Sequence, residues 1–118
     1  MVRFGFKGPG AGLGPQEAAE AASEGALLVD VRHAREWDAG HAPGAVNVPL
    51  DALSGRLSEL RQDRRIVVVC RSGQRSASAT EQLLRSGIDA VNLDGGLLAW
   101  VEAGLAIESD DGGPGYVA

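Results

Sequence analysis

The sequence is short of several features that would assign it to particular classes of protein. It contains a single cysteine, Cys70, so a disulfide within the chain is excluded and a reducing, cytoplasmic compartment is expected. No apolar run approaches the roughly 20 residues that a membrane-spanning helix needs. Aromatic residues make up only 4% of the chain, so a hydrophobic core must be built mainly from Ala, Val, Leu and Ile.

Positive charge is also scarce. The 118 residues carry a formal net charge of −5, and the basic residues are scattered along the chain. A nucleic-acid partner favours a basic face that displaces counterions from phosphates, and an acidic chain gains little at an anionic membrane. We therefore expect neither partner. A small anionic substrate remains compatible with this charge, because a binding site responds to its local field.

The length of the chain suits one domain with flexible ends. Five glycines and a proline in residues 1–14 predict a flexible N-terminal arm, with a possible edge strand at residues 2–6. Residues 15–106 are expected to form the domain. Residues 107–118 are rich in polar residues and glycine, which predicts a flexible C-terminal tail.

Short apolar runs alternate with segments of helical pattern. This alternation predicts an α/β fold with a central, mostly parallel sheet and helices on both faces. Ligands bind beyond the carboxyl ends of strands in such sheets, and Cys70, Asp30 with Arg32, and Asp94 all fall there. We expect Asp94 to cap the last helix. The predicted strands are 26–31, 45–48, 66–70 and 90–93, and the predicted helices are 15–24, 34–39, 51–60, 75–86 and a last one ending at 103.

The segment that follows the strand at 66–70 carries the main chemical signal. A cysteine attacks as its thiolate, which nearby positive charge and inward-facing N–H groups stabilise. Gly73 permits the backbone angles of a tight curl, and Arg71 and Arg75 add permanent positive charge. A lone cysteine is more often a buried core residue, but these polar neighbours are poor packing partners. We therefore interpret Cys70 as a reactive thiolate that is exposed to solvent.

Three segments, in order along the chain, resemble the signatures of the rhodanese-like sulfurtransferases. The resemblance spans about residues 13–106 and implies a rhodanese-like fold. The matching residues are Leu28-Val29-Asp30-Val31-Arg32 with Glu36-Trp37 and Gly40-His41-Ala42-Pro43-Gly44-Ala45-Val46-Asn47-Val48-Pro49, then Cys70-Arg71-Ser72-Gly73-Gln74-Arg75-Ser76, then Leu93-Asp94-Gly95-Gly96 with Trp100.

This resemblance implies a sulfur transfer in two steps. The Cys70 thiolate would take a sulfane sulfur from thiosulfate or a persulfide donor, and cyanide in an assay, or a small or protein thiol in the cell, would remove it. Asp30 and Arg32 match a family pair that lies near the site, and we interpret them as supporting rather than catalytic residues, with Asp30 either tying the loop in place or capping a turn. No cofactor is implied, and His33 and His41 do not stand at metal-ligand spacing. The implied substrate-binding residues are Arg71, Ser72, Gly73, Gln74, Arg75 and Ser76.

Two other functions share parts of this pattern. Small cysteine-dependent phosphatases and arsenate reductases also bind an oxyanion in a cysteine loop. Such phosphatases place one residue more between the cysteine and the arginine than the four that separate Cys70 from Arg75, so the cradle here is smaller. The chain could instead be a sulfur relay or an interaction module. Retention of Cys70 and both loop arginines argues against the inert form of such a module.

Overall fold

A computed structural model describes residues 11–61 and 63–118, which fold around a sheet of four parallel strands. The elements are α1 (Pro15–Ser23), β1 (Leu27–Asp30), α2 (Ala34–Ala39), β2 (Val46–Asn47), a 3-10 helix (Leu50–Arg56), α3 (Leu57–Leu60), β3 (Ile66–Val69), α4 (Gln74–Arg85), β4 (Ala90–Asn92) and α5 (Gly96–Glu102). The strands lie in the order β2-β1-β3-β4. The predicted α/β fold with a parallel sheet is confirmed, and the possible strand at 2–6 lies outside the described residues.

The central strand β3 separates the two halves of the core. All four of its residues are buried, and all four are β-branched residues, which favour the β-strand conformation. Ile66 and Val68 belong to a cluster that includes side chains of the 3-10 helix, α3 and α4. Val67 and Val69 belong to a second cluster, with side chains of α1 and α5. The alternation follows from the period of two along a strand, and Cys70 continues it on the α4 side.

The strand order places a topological switch between β1 and β3. From β1 the chain continues to β2 at one edge, whereas from β3 it continues to β4 at the opposite edge. Ligand sites in open parallel sheets lie at such points, outside the carboxyl ends of the strands. Asp30 pairs with Val69 in register, so Arg32 and Cys70 both follow the adjacent ends of these two strands.

One predicted helix differs from the structure. The segment 51–60 forms a 3-10 helix over Leu50–Arg56 and only one α-helical turn over Leu57–Leu60. Ser54 and Gly55 explain the difference, because both favour the α-helix less than alanine does and Gly55 costs about 1 kcal/mol. Leu53 and Leu60 are still buried against the sheet, so the apolar spacing serves packing without a continuous helix.

The two ends of the described chain both contact the domain. Leu13 forms a parallel bridge with Leu93, although it was assigned to the flexible arm. Glu108 forms an antiparallel bridge with His41, and residues 107–118 continue along the end of α2. Whether these segments are flexible stays a prediction. No helix among the described residues is long and apolar enough to cross a membrane.

Candidate active site

The loop after β3 turns hydrogen-bond donors toward the sulfur of Cys70. Within the described part of the chain, three donors reach Sγ: the Gly73 amide at 3.0 Å, the Ser76 amide at 3.3 Å and the Ser76 hydroxyl at 3.1 Å. Ser76 lies in the first turn of α4, where backbone amides have no partner within the helix. Donors arranged in this way stabilise negative charge on the atom they surround.

The backbone of this loop curls because two of its carbonyl groups accept hydrogen bonds from α5, on the side away from the sulfur. The amide of Leu97 donates to the carbonyl of Cys70 at 2.9 Å, and the amide of Leu98 donates to that of Arg71 at 3.1 Å. Both donors lie at the beginning of α5. Gly73 completes the curl with a φ of 103°, in the left-handed region that glycine tolerates. With the carbonyls held outward, the following amides face the sulfur.

Burial of the cysteine differs from the expectation. Cys70 is only 1% exposed, so the prediction of a solvent-exposed sulfhydryl is wrong. The residue ends β3 on the α4 side of the sheet and shares a buried cluster with Val31 and Val68. Ser72 on the loop and Gln74 at the beginning of α4, by contrast, are exposed. A buried thiolate would be costly without partners, and the three donors replace its hydrogen bonds to water.

The two loop arginines both have partners. Nη1 and Nη2 of Arg75 donate to Oε1 and Oε2 of Glu36 at 2.8 and 2.9 Å. This hydrogen bonding is the main cause that lowers the pKa of Glu36 from 4.5 to about 2. The same bonds raise the pKa of Arg75, with smaller contributions from the charges of Glu36 and Cys70. Nε of Arg71 donates to the carbonyl oxygen of Ala118 at 3.1 Å.

Asp30 and Arg32 form a buried ion pair at the carboxyl end of β1. Nε of Arg32 lies 3.0 Å from Oδ1 of Asp30, Nη2 lies 2.9 Å from Oδ2, and both side chains are almost completely buried. Nη2 also donates to the carbonyl of Gly40, and Asn47 donates to the carbonyls of both members of the pair. This arrangement braces the strand end and the segment after α2, so a supporting role remains our prediction for the pair.

Sequence reasoning missed two residues that shape the loop. Nδ2 of Asn92 donates to the carbonyl of Gly73 at 3.2 Å and to Oδ1 of Asp94 at 2.9 Å. A Cβ at Gly96 would lie 2.6 Å from the carbonyl oxygen of Cys70, so only glycine lets α5 approach this closely. A polar side chain at the carboxyl end of a buried strand was the available signal for Asn92. The expected cap at Asp94 is wrong, because Gly95 precedes α5 and makes no side-chain cap.

The structure is an α/β domain in which hydrogen-bond donors surround a cysteine at the topological switch between β1 and β3. Comparisons with known proteins identify the family of this domain. The sequence model of the family described as Rhodanese-like domain matches residues 14–103. A sulfurtransferase from Allochromatium vinosum is 41% identical over 93 residues, which cover 78% of this chain and 87% of that protein. The chain belongs to the rhodanese-like domain family.

Solved structures agree with this assignment. A rhodanese-related protein from Thermoplasma volcanium superimposes with a TM-score of 0.77 and 28% identity, covering 82% of this chain and 96% of that one. A thiosulfate sulfurtransferase from Pseudomonas aeruginosa has a TM-score of 0.76 and 31% identity, over 84% of this chain and 19% of that one. Membership of the family, with relatives named sulfurtransferases, supports sulfur transfer as the general activity.

Proposed function

We propose that this protein is a rhodanese-type sulfurtransferase that carries sulfur as a persulfide on Cys70. Sulfur would come from thiosulfate or a persulfide donor and pass to a thiophilic acceptor, which is cyanide in an assay and a thiol in the cell. The observation that carries the proposal is the set of donors from Gly73 and Ser76 around Sγ. They favour the ionised sulfur that acts as nucleophile in covalent catalysis.

The proposed reaction needs no redox cofactor or metal. In the first step the Cys70 thiolate attacks the outer sulfur of thiosulfate, so that a new S–S bond forms as the old one breaks and sulfite leaves with the bonding pair. In the second step the acceptor attacks the terminal persulfide sulfur, and the thiolate is released. The same N–H and O–H groups stabilise the negative sulfur before and after each transfer.

The remaining loop residues bind the donor in this proposal. Arg71 lies on the exposed side of the loop, where its charge can attract an approaching anion. Ser72 and Gln74 offer polar groups at the same surface, and Arg75 contributes a second positive charge close to Cys70. We further propose a cytoplasmic location, since a thiol that cycles through a persulfide is best kept in a reducing compartment.

Turnover with thiosulfate and cyanide tests the proposal. Wild-type protein should release thiocyanate and sulfite, and Cys70→Ser should abolish both while circular dichroism shows a folded protein. Ser78→Ala is a matched control, because Ser78 is exposed on the same helix α4 as the cradle serine. Thiosulfate turnover that survives in Cys70→Ser would overturn the proposal. So would hydrolysis of an aryl phosphate that depends on Cys70 in a protein that transfers no sulfur, since it would identify a phosphatase.

A further inference from the structure

The ion pair between Glu36 and Arg75 connects α2 to the first turn of the helix behind the sulfur. It is bidentate, and the Glu36 side chain is 20% exposed against 35% for Arg75. Oε1 of Glu36 also accepts the amide of His33, which fixes the carboxylate at the beginning of α2. The pKa of Glu36 lies near 2, so its negative charge is present throughout the neutral range. The pair therefore holds a permanent negative charge beside Arg75.

Two of the positive charges near Cys70 are consequently balanced by an acidic partner. Arg75 is balanced by Glu36, and Arg32 is balanced by Asp30 in the buried pair. Both acids also act within electrostatic range of Arg75, whose pKa they raise together with Cys70. When Cys70 is ionised, this group of five residues carries one net negative charge, and the exposed Arg71 is a positive charge of the loop outside the group. The charge of Glu36 opposes the approach of an anion in proportion to the anion's own charge.

We propose that Glu36 is a specificity-determining residue, which neutralises Arg75 and thereby selects sulfur donors that carry one negative charge over donors that carry two. The fitting donor class is the persulfide anion of a thiol, R–S–S⁻, whereas thiosulfate is a dianion that must compete with Glu36 for Arg75. This inference rests on the proposed sulfur transfer and specifies the substrate class of that same site.

Two synthetic donors of different charge isolate this effect. Thiosulfate and methanethiosulfonate both present a terminal sulfane sulfur on a sulfonyl centre, and a methyl group in the second replaces one anionic oxygen of the first. Attack by the Cys70 thiolate forms the same persulfide in both reactions. The S–S bond breaks with its electron pair on the leaving group, so sulfite leaves from thiosulfate and methanesulfinate leaves from methanethiosulfonate. No proton, oxidant or reductant enters either step.

The measurement is the second-order rate of persulfide formation in the absence of an acceptor, followed by intact mass. We compare the ratio of the two donor rates between variants. A change in the reactivity of Cys70 itself affects both rates equally and therefore leaves this ratio unchanged. Glu36→Gln retains one oxygen that can accept from His33, removes the negative charge and replaces the other acceptor of Arg75 by an NH2 group. We expect the ratio of the thiosulfate rate to the methanethiosulfonate rate to rise about three- to tenfold in Glu36→Gln. This is the size of effect that removal of one elementary charge produces at a partly screened site.

Matched variants separate local charge from other effects. Glu59→Gln breaks the exposed pair between Glu59 and Arg56 in α3 and the 3-10 helix, and should leave the donor ratio unchanged. Arg75→Ala should lower the ratio. The double variant Glu36→Gln with Arg75→Ala has the same net charge as wild type and should return the ratio to within about twofold of it.

Each outcome supports or overturns a defined statement. If persulfide forms with both donors but Glu36→Gln leaves their ratio unchanged, or Glu59→Gln raises it equally, Glu36 does not determine donor charge and the inference is refuted. If neither donor adds sulfur to any of the proteins, the proposed sulfur transfer itself fails, and the inference falls with it. The two failures are distinguished by the mass of the wild-type protein.

Discussion

Removal of the Ser76 hydroxyl is the perturbation that tests the sulfur cradle most specifically. The hydroxyl lies 3.1 Å from Sγ of Cys70, and Ser76 is completely buried, so no water can readily replace it. A hydrogen bond to a charged group contributes about 1.5–3 kcal/mol, and about 1.4 kcal/mol corresponds to a factor of ten. Ser76→Ala should therefore slow the attack of Cys70 on an electrophile by roughly tenfold, because the negative sulfur loses one of its three hydrogen-bond donors.

The rate of alkylation with iodoacetamide at a fixed neutral pH measures this effect directly. Cys70 is the only thiol in the chain, so every alkylated molecule reports on it. Because Cys70 is buried, each rate is expressed as a ratio to the wild-type rate. Ser78→Ala, on the exposed side of α4, serves as the control. An unchanged rate in Ser76→Ala, or an equal decrease in both variants, would refute the stabilising role assigned to this hydroxyl.

Three further predictions concern the charged residues of the site. Arg75→Ala should raise the KM for thiosulfate several-fold with a smaller change in kcat, as steady-state kinetics can show. Asp30→Asn leaves the buried Arg32 without its counter-charge and should lower the free energy of unfolding by about 3–5 kcal/mol, measured by urea denaturation. The pKa of Glu36 is lowered to about 2, so its pair stabilises the fold above about pH 4.5 and is lost as pH falls toward 2. The stability advantage of wild type over Glu36→Gln, about 1–2 kcal/mol after screening, should shrink across that window.

The elements with strong local signals were predictable from the sequence. The β-branched run of β3 and the glycines that end helices indicated alternating strands and helices, and apart from the segment 51–60 the structure has them within one or two residues. The polar loop after Cys70 could likewise be interpreted as an anion cradle, because Gly73 and the following helix are adjacent to the cysteine in sequence. Local chemistry was sufficient there, since the Gly73 and Ser76 donors lie within six residues of the sulfur.

The features that were missed depend on contacts between distant segments. Glu36 and Arg75 are 39 residues apart, and Asn92 is 19 residues from the Gly73 carbonyl that it holds. Neither pairing leaves a periodic or local pattern in the chain. The burial of Cys70 was mispredicted for the same reason, because its exposure is set by elements packed around the loop, including α5, rather than by its polar neighbours in sequence.

The most direct measurement is the mass of the intact protein after incubation with thiosulfate alone, followed by peptide mapping. A sulfur-carrying Cys70 predicts the gain of one sulfur atom, located on the peptide that contains Cys70 and removed again by cyanide. The persulfide mechanism would be contradicted if the wild-type protein gained no sulfur from either thiosulfate or an organic persulfide. It would also be contradicted if the Cys70→Ser variant gained as much sulfur as the wild type.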